Sequence, residues 1–423
     1  MKKRFAPKFT TAIDIGTTKI CVLVASKNDD GSLEIQGIGQ HPSHGLKKGV
    51  VVNIKATVES IKAAVKQAEE MAGCSIESAC VGISGGHIKS FNSTGVVAIK
   101  NRDIRQDDID RVIEAAKAIP LPQDQHILHV LPQYFRVDGQ EFIFDSLGMY
   151  GVRLESQVHI VTGAVASAQN IIKSCELAGI KVSDFVLEQL ASADAVLTPS
   201  ERELGVGIID IGGGTSDFAV YKDGRIRHSK VLAIAGNHFT NDLAVGLGIP
   251  VEKAEEFKRR YGNAFAHKNC SNDYIDVNLG YQDGIKSISV ATLSEILRFR
   301  AEEIFDLFLD EINQYRLKAF MPTGLVLTGG GSLLAGIKEL AQEKLGLPVR
   351  IGLPESYTNA QYPEFEPSHH AIPDLLKSPV YSTGYGLLVY GTGQRGSKEA
   401  YTTDESSFGK IFQCMKSWIY DFF

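Results

Sequence analysis

The chain has 423 residues, 43% of them apolar and 22% charged, with a net charge of -6; this is length enough for two or more domains with buried cores, and the balance gives no reason to expect nucleic acid as a partner. Six cysteines (Cys21, Cys74, Cys80, Cys175, Cys270, Cys414) are scattered without metal spacing, as free thiols in a reducing compartment are, and not as a disulfide scaffold. The basic start lacks the apolar segment of a signal peptide, and no stretch reaches the roughly 18 uninterrupted apolar residues of a membrane span, so the body of the protein is expected in the cytoplasm.

In chain order, Thr11 to Val24 reads as a hairpin: an apolar run, Asp14-Ile-Gly-Thr-Thr-Lys19, then a second apolar run. A third strand follows at Ser32 to Gly39, a helix at Val52 to Met71 and a buried strand at Ala79 to Ile83. From Ser84 to Gln157 the texture changes to alternating runs around one helical segment, Gln106 to Ala118, which predicts a small α+β insertion. Val158 to Thr162 is expected to return to the first domain, followed by a helix through Ala178 and the strand Phe185 to Leu187. Glu188 to Val196 is a small-residue helix suited to close packing. A second hairpin, Gly205 to Tyr221, carries Asp210-Ile-Gly-Gly-Gly-Thr215 at its break. Helical pieces broken at Gly246 to Pro250 come next, then a helix from Thr292 to Leu317. A third glycine-ended strand, Gly324 to Ser332, opens a helix to Leu345. Residues 348–380 read as irregular, with His369 and His370 as solvated loop residues, and a glycine-containing helix closes at Tyr390.

Glycines at a hairpin break let backbone approach a ligand, and consecutive turn amides cradle phosphate oxygens. Two matching hairpins, each ending its first strand in Asp14 or Asp210, predict a phosphate ligand clamped between two related domains. Phosphate beside two carboxylates implies a divalent cation at Asp14 and Asp210. Gly329, Gly330 and Ser332 supply bare backbone for a base or ribose. Glu255 and Lys258, three apart on one helix face, either bond a ribose or adenine or form a surface ion pair.

These motifs, with connecting helices at Glu188 to Val196 and Ser382 to Tyr390, resemble the actin, heat-shock-chaperone and sugar-kinase superfamily. Within it, Asp145 to Glu155, Val158 to Thr162, Gly236 to Ala244, Ala254 to Gly262 and Val349 to Pro354 resemble the FtsA family of bacterial cell-division proteins. The resemblance implies an α/β, actin-like fold: two ribonuclease-H-like domains around a nucleotide cleft, with a small SHS2-type insertion. The first domain would comprise residues 8–83, 158–198 and 380–392, the insertion 84–157, the second domain 199–235 and 323–379, and its subdomain 236–322. It also implies ATP and Mg2+, with phosphates on Gly16, Thr17, Thr18, Lys19, Gly212, Gly213, Gly214 and Thr215, and adenosine on Gly236, Glu255, Lys258, Gly330 and Ser332. Glu188 maps onto the residue that supports hydrolysis in related actins, with Asp210 beside it; Gln189 follows where relatives often have Pro. Activity is expected to be weak or vestigial.

The tail reads in two parts. Residues 393–407 are a polar linker, and 408–423 place Phe408, Ile411, Phe412, Met415, Trp418, Ile419 and Phe422 at spacings of three or four. Lysines on the other face describe a helix lying in a bilayer interface, although a groove on a partner protein would suit it too. The resemblance implies a peripheral protein at the cytoplasmic face of the membrane, at the division site. It would polymerise with itself, bind the C-terminal peptide of FtsZ on its second domain, contact anionic lipid and recruit later division proteins through the insertion. A pilus-assembly protein or a small-metabolite kinase on the same fold are the rivals.

Overall fold

The structure, a computed structural model, describes residues 9–28, 32–265, 273–278, 285–355 and 374–393. The first half opens with β1 (Phe9–Ile15), β2 (Lys19–Lys27) and β3 (Leu33–Pro42). A small hairpin follows, β4 (Leu46–Lys47) with β5 (Val50–Val51), and then α1 (Ile54–Ala72) and β6 (Ser78–Ile83). Ile20 to Ala25 are fully buried, which is why β2 is an unbroken apolar run: both faces of its sheet are covered. Asn53 caps α1 by accepting from the Ala56 amide at 3.1 Å. The helix lies so close on β3 that a Cβ on Gly39 would stand 1.9 Å from the Ala64 carbonyl oxygen.

The insertion holds β7 (Lys89–Ala98), α2 (Gln106–Lys117), β8 (Gln125–Val137), β9 (Gln140–Ile143) and β10 (Arg153–Ala164). Its strands are ordered β7-β10-β8-β9, with α2 packed on one face. Here the sequence expectation needs correcting. Val158 to Thr162 pair with the inserted sheet and not with the first domain's sheet, β10 lying beside β7 through Thr162 and beside β8 through Ala164, although Val161 packs into the core below. The alternation that made Val158 to Thr162 look like a buried strand of the main sheet comes from its lying at the centre of the inserted one. Likewise His126 to Leu131 and Gln133 to Val137 are one strand, carried past Pro132 by a register shift.

The first half then completes with α3 (Val165–Leu177), β11 (Lys181–Leu187) and α4 (Glu188–Val196), and α5 (Pro199–Leu204) leads across. The second half repeats the plan with β12 (Val206–Ile211), β13 (Ser216–Lys222) and β14 (Arg225–Leu232), then α6 (Gly236–Leu247) and α7 (Val251–Tyr261). Next come β15 (Tyr274–Asn278), β16 (Ile285–Ser289), α8 (Val290–Gln314), β17 (Leu325–Thr328), α9 (Ile337–Leu345), β18 (Val349–Ile351) and α10 (Ser382–Gly391). The two main sheets, β11-β6-β1-β2-β3 and β18-β17-β12-β13-β14, have the same order. In each, a parallel strand lies beside the first hairpin strand. The helices α4 and α10 cross between the halves, and a Cβ on Gly386 would lie 1.7 Å from the Ala191 carbonyl oxygen. Among the described residues no helix is long and apolar enough to cross a membrane. The expected terminal helix at 408–423, nearly all of the linker, and His369 and His370 lie outside the described residues.

Candidate functional site

The two hairpins meet tip to tip. In β1 and β2 Asp14 stands opposite Cys21, and in β12 and β13 Asp210 stands opposite Asp217. The second turn folds back on itself, with the Gly212 amide donating to the Thr215 carbonyl at 2.9 Å. A Cβ on Gly213 would fall 1.9 Å from Thr18 Oγ1, and one on Gly214 2.3 Å from Thr17 Oγ1. Glycine is required here because the opposite turn occupies the space of a side chain. The start of α6 locks onto the second turn: the Gly236 and Asn237 amides donate to the Gly212 and Gly213 carbonyls at 3.0 and 2.8 Å.

Between the halves lies a cavity of about 950 Å³. Asp14, Gly16, Thr17, Thr18, Lys19, Glu188, Asp210, Gly212, Gly213, Gly214, Thr215, Gly236, Glu255, Lys258, Gly329 and Gly330 all line it. Ser332, expected on the wall, instead turns its hydroxyl to the Gly329 carbonyl at 2.7 Å and is not among the lining residues. The glycine run it belongs to forms a 3-10 turn, Gly330–Leu333, and the α-helix starts only at Ile337. Gln189 is fully buried and does not line the cavity.

The acidic floor is larger than the motifs foretold. Asp217, which motif reading passed over, also lines the cavity and accepts from Ser84 Oγ at 2.6 Å. Strand alternation was the available signal, since a residue facing Asp210 across a hairpin shares its side of the sheet. Burial, then the neighbouring Asp14, Asp217 and Asp210, push the Glu188 carboxyl well above the usual range. Burial raises Asp14 against the pull of Lys19. It raises Asp210 too, despite hydrogen bonds from Ser192 and from Thr383 at 3.0 Å. Asp217 is pushed up to about 7, by burial first, against its bond from Ser84, and then by Asp210.

One ammonium faces these four carboxyls. Lys19 Nζ lies 3.6 Å from Asp14 and 4.9 Å from the Tyr381 ring centroid, and it is buried with no hydrogen-bond partner among the described residues. A buried ammonium held by one ion pair and no hydrogen bond has donors left for an anionic ligand. Four carboxyls that resist ionising together fit a divalent cation. No three Asp, Glu, His or Cys side chains among the described residues form a metal cage, so such an ion would take waters and ligand oxygens for the rest of its shell. At the far end Glu255 pairs with Lys258 at 2.6 Å, and Lys258 reaches the Gly236 carbonyl at 3.2 Å. The pair lines the cavity, with Arg259 also bonded to Glu255 at 2.9 Å.

Twin sheets of matching order, crossed helices between them and a cleft at the hairpin tips define an actin-like ATPase fold carrying an insertion. The protein-family model described as "SHS2 domain inserted in FTSA" matches residues 85–162, and the one described as "Cell division protein FtsA" matches 207–386. The chain is 44% identical over 419 residues to cell division protein FtsA of Pseudomonas aeruginosa, covering 97% of both chains. It is 35% identical to that of Escherichia coli K12, again over 97% of each, and 36% identical to that of Bacillus subtilis 168, over 95% of this chain and 88% of that one. The chain belongs to the FtsA family of cell-division proteins. Among solved structures it is similar to the PilM-PilN type IV pilus biogenesis complex (TM-score 0.64, 16% identity, 90% of this chain and 98% of that one). It is also similar to MreB5 of Spiroplasma citri bound to ADP (TM-score 0.55, 15% identity, 92% and 98%). At these identities the likeness is one of fold.

Proposed function

We propose that this cell-division protein binds ATP with Mg2+ in the interdomain cleft and works as a filament-forming adaptor at the cytoplasmic face of the membrane. The observation that supports the ligand assignment is the buried Lys19 ammonium, ion-paired to Asp14 at 3.6 Å but without a hydrogen bond of its own, set among carboxyls between two glycine turns. Gly16 to Lys19 and Gly212 to Thr215 would hold the phosphates, Gly236, Glu255, Lys258 and Gly330 the adenosine, and Asp14 and Asp210 the water shell of Mg2+. The ion would neutralise the carboxyls and screen the phosphates from them. Glu188, at the head of α4, would then regain its charge and orient a water, supporting slow hydrolysis at most. At the division site the protein would tether FtsZ through the second domain, contact its own copies and recruit later division proteins through the insertion. Anchorage would come from the apolar face at 408–423.

Titration calorimetry with ATP, with and without Mg2+, tests the ligand. Binding should require Mg2+ and weaken about tenfold or more in Asp14→Asn and Asp210→Asn. Equal affinity in the variants and the wild-type protein would refute the assignment.

A further inference from the structure

The insertion touches more than the half it is sewn into. Its base is tied to the first domain, where the Leu187 amide donates to His129 Nε2 at 3.1 Å, and Ile88, Leu128 and Val161 belong to an apolar core that runs from the first half into the second, as far as Ile226 and Val231 of β14. Its flank lies against β14, the edge strand of the other half's sheet. The outward carbonyls of an edge strand need donors from somewhere. Here side chains of the insertion supply them. Gln133 Nε2 donates to the Ile226 and Arg227 carbonyls at 2.9 and 3.0 Å, and Ser90 Oγ donates to the Ser229 carbonyl at 2.6 Å. His159, 1% exposed, joins Asn92 Oδ1 at 2.7 Å to Ser229 Oγ at 2.8 Å. In return Arg225 of β14 donates to the Pro132 and Phe144 carbonyls at 3.2 and 3.3 Å.

We infer that the inserted domain is a strap across the two halves, which restrains the cleft from opening and must slip along β14, or let go of it, when the cleft changes width. The contacts suit that role. Most of them run from side chains to main chain and none forms a continuous strand ladder, so the set can part stepwise. The inference rests on reading the cleft as a ligand site that opens and closes.

Hydrogen exchange on the full chain without nucleotide tests it, so that a failure to bind ATP would leave the result readable. Gln133→Met keeps the side-chain volume and removes the donors. The pair Ser90→Cys and Ser229→Cys, oxidised to a disulfide, fixes the strap. In Gln133→Met, exchange should quicken about tenfold at β14 and also at the hairpin tips around residues 16–18 and 212–215. The oxidised pair should slow the tips, and reduction should restore them. Tips unchanged in both variants, with β14 exchanging faster in Gln133→Met, would overturn the inference, because the insertion would then be docked without restraining the cleft.

Discussion

Asp217 couples the site to pH. Its carboxyl is pushed from 3.8 up to about 7 by burial and by Asp210, so folding stability from this group is full below about pH 4, where both states are protonated. It is lost as pH rises through about 7, where the buried group is forced to ionise. Asp14, Asp210 and Glu188 are raised in the same direction and add to the trend. Differential scanning calorimetry of the nucleotide-free protein should therefore show Tm falling between pH 5 and pH 7.5. Asp217→Asn should raise Tm at pH 7.5 by about 2–4 °C while leaving the value near pH 4.5 almost unchanged. An equal shift at both pH values would mean that packing, not charge, was altered. This residue also marks a limit of reading motifs from sequence. Asp14 and Asp210 are legible because each sits beside a glycine turn. Asp217 becomes visible only once the register puts it opposite Asp210, and its counterpart in the first hairpin is Cys21, so no repeated letter calls attention to it.

At the scale of elements, the crossing of α4 and α10 sets how closely the halves can approach. Gly386 meets the main chain of Ala191, and the obstructing atoms cannot swing aside as a long side chain would. Gly386→Val should destabilise the protein by more than about 3 kcal/mol, seen as a lost or sharply lowered urea midpoint, because the two helices would have to separate. The small-residue composition of α4 made close packing readable in advance, whereas α10 was legible only as a glycine-containing helix. The limits of β10 were not. A strand that belongs to an inserted sheet and one that belongs to the main sheet carry the same apolar alternation, and only the partners distinguish them. The glycines at Gly329 to Gly331 announced a close approach, yet they wind a 3-10 turn and leave Ser332 bonded inward. Local composition does not say which way a turn hydroxyl points.

For the whole molecule, repetition was the strongest signal. Two hairpins with the same texture foretold two sheets of the same order, since each must carry its turn to the same end of its own sheet. What joins the halves was far less legible, because contacts such as Gln133 with β14 link residues about 93 positions apart without a motif at either end. The tail belongs to this scale as well. Removing residues 408–423 should release the protein from anionic vesicles in co-sedimentation while leaving its ATP affinity as it was. Retained sedimentation would refute a lipid role for that segment.

The interlocked turns have a mechanical consequence. With Thr18 standing where a side chain on Gly213 would be, the two turns meet across the cleft. On the proposed function, a nucleotide lodged between them would set their gap by its own width, with the crossed helices at the far end as the pivot. The molecule is then a calliper. The size of what it gripped would be written as an angle between its halves, enlarged at the outer surfaces, where neighbouring molecules would read it.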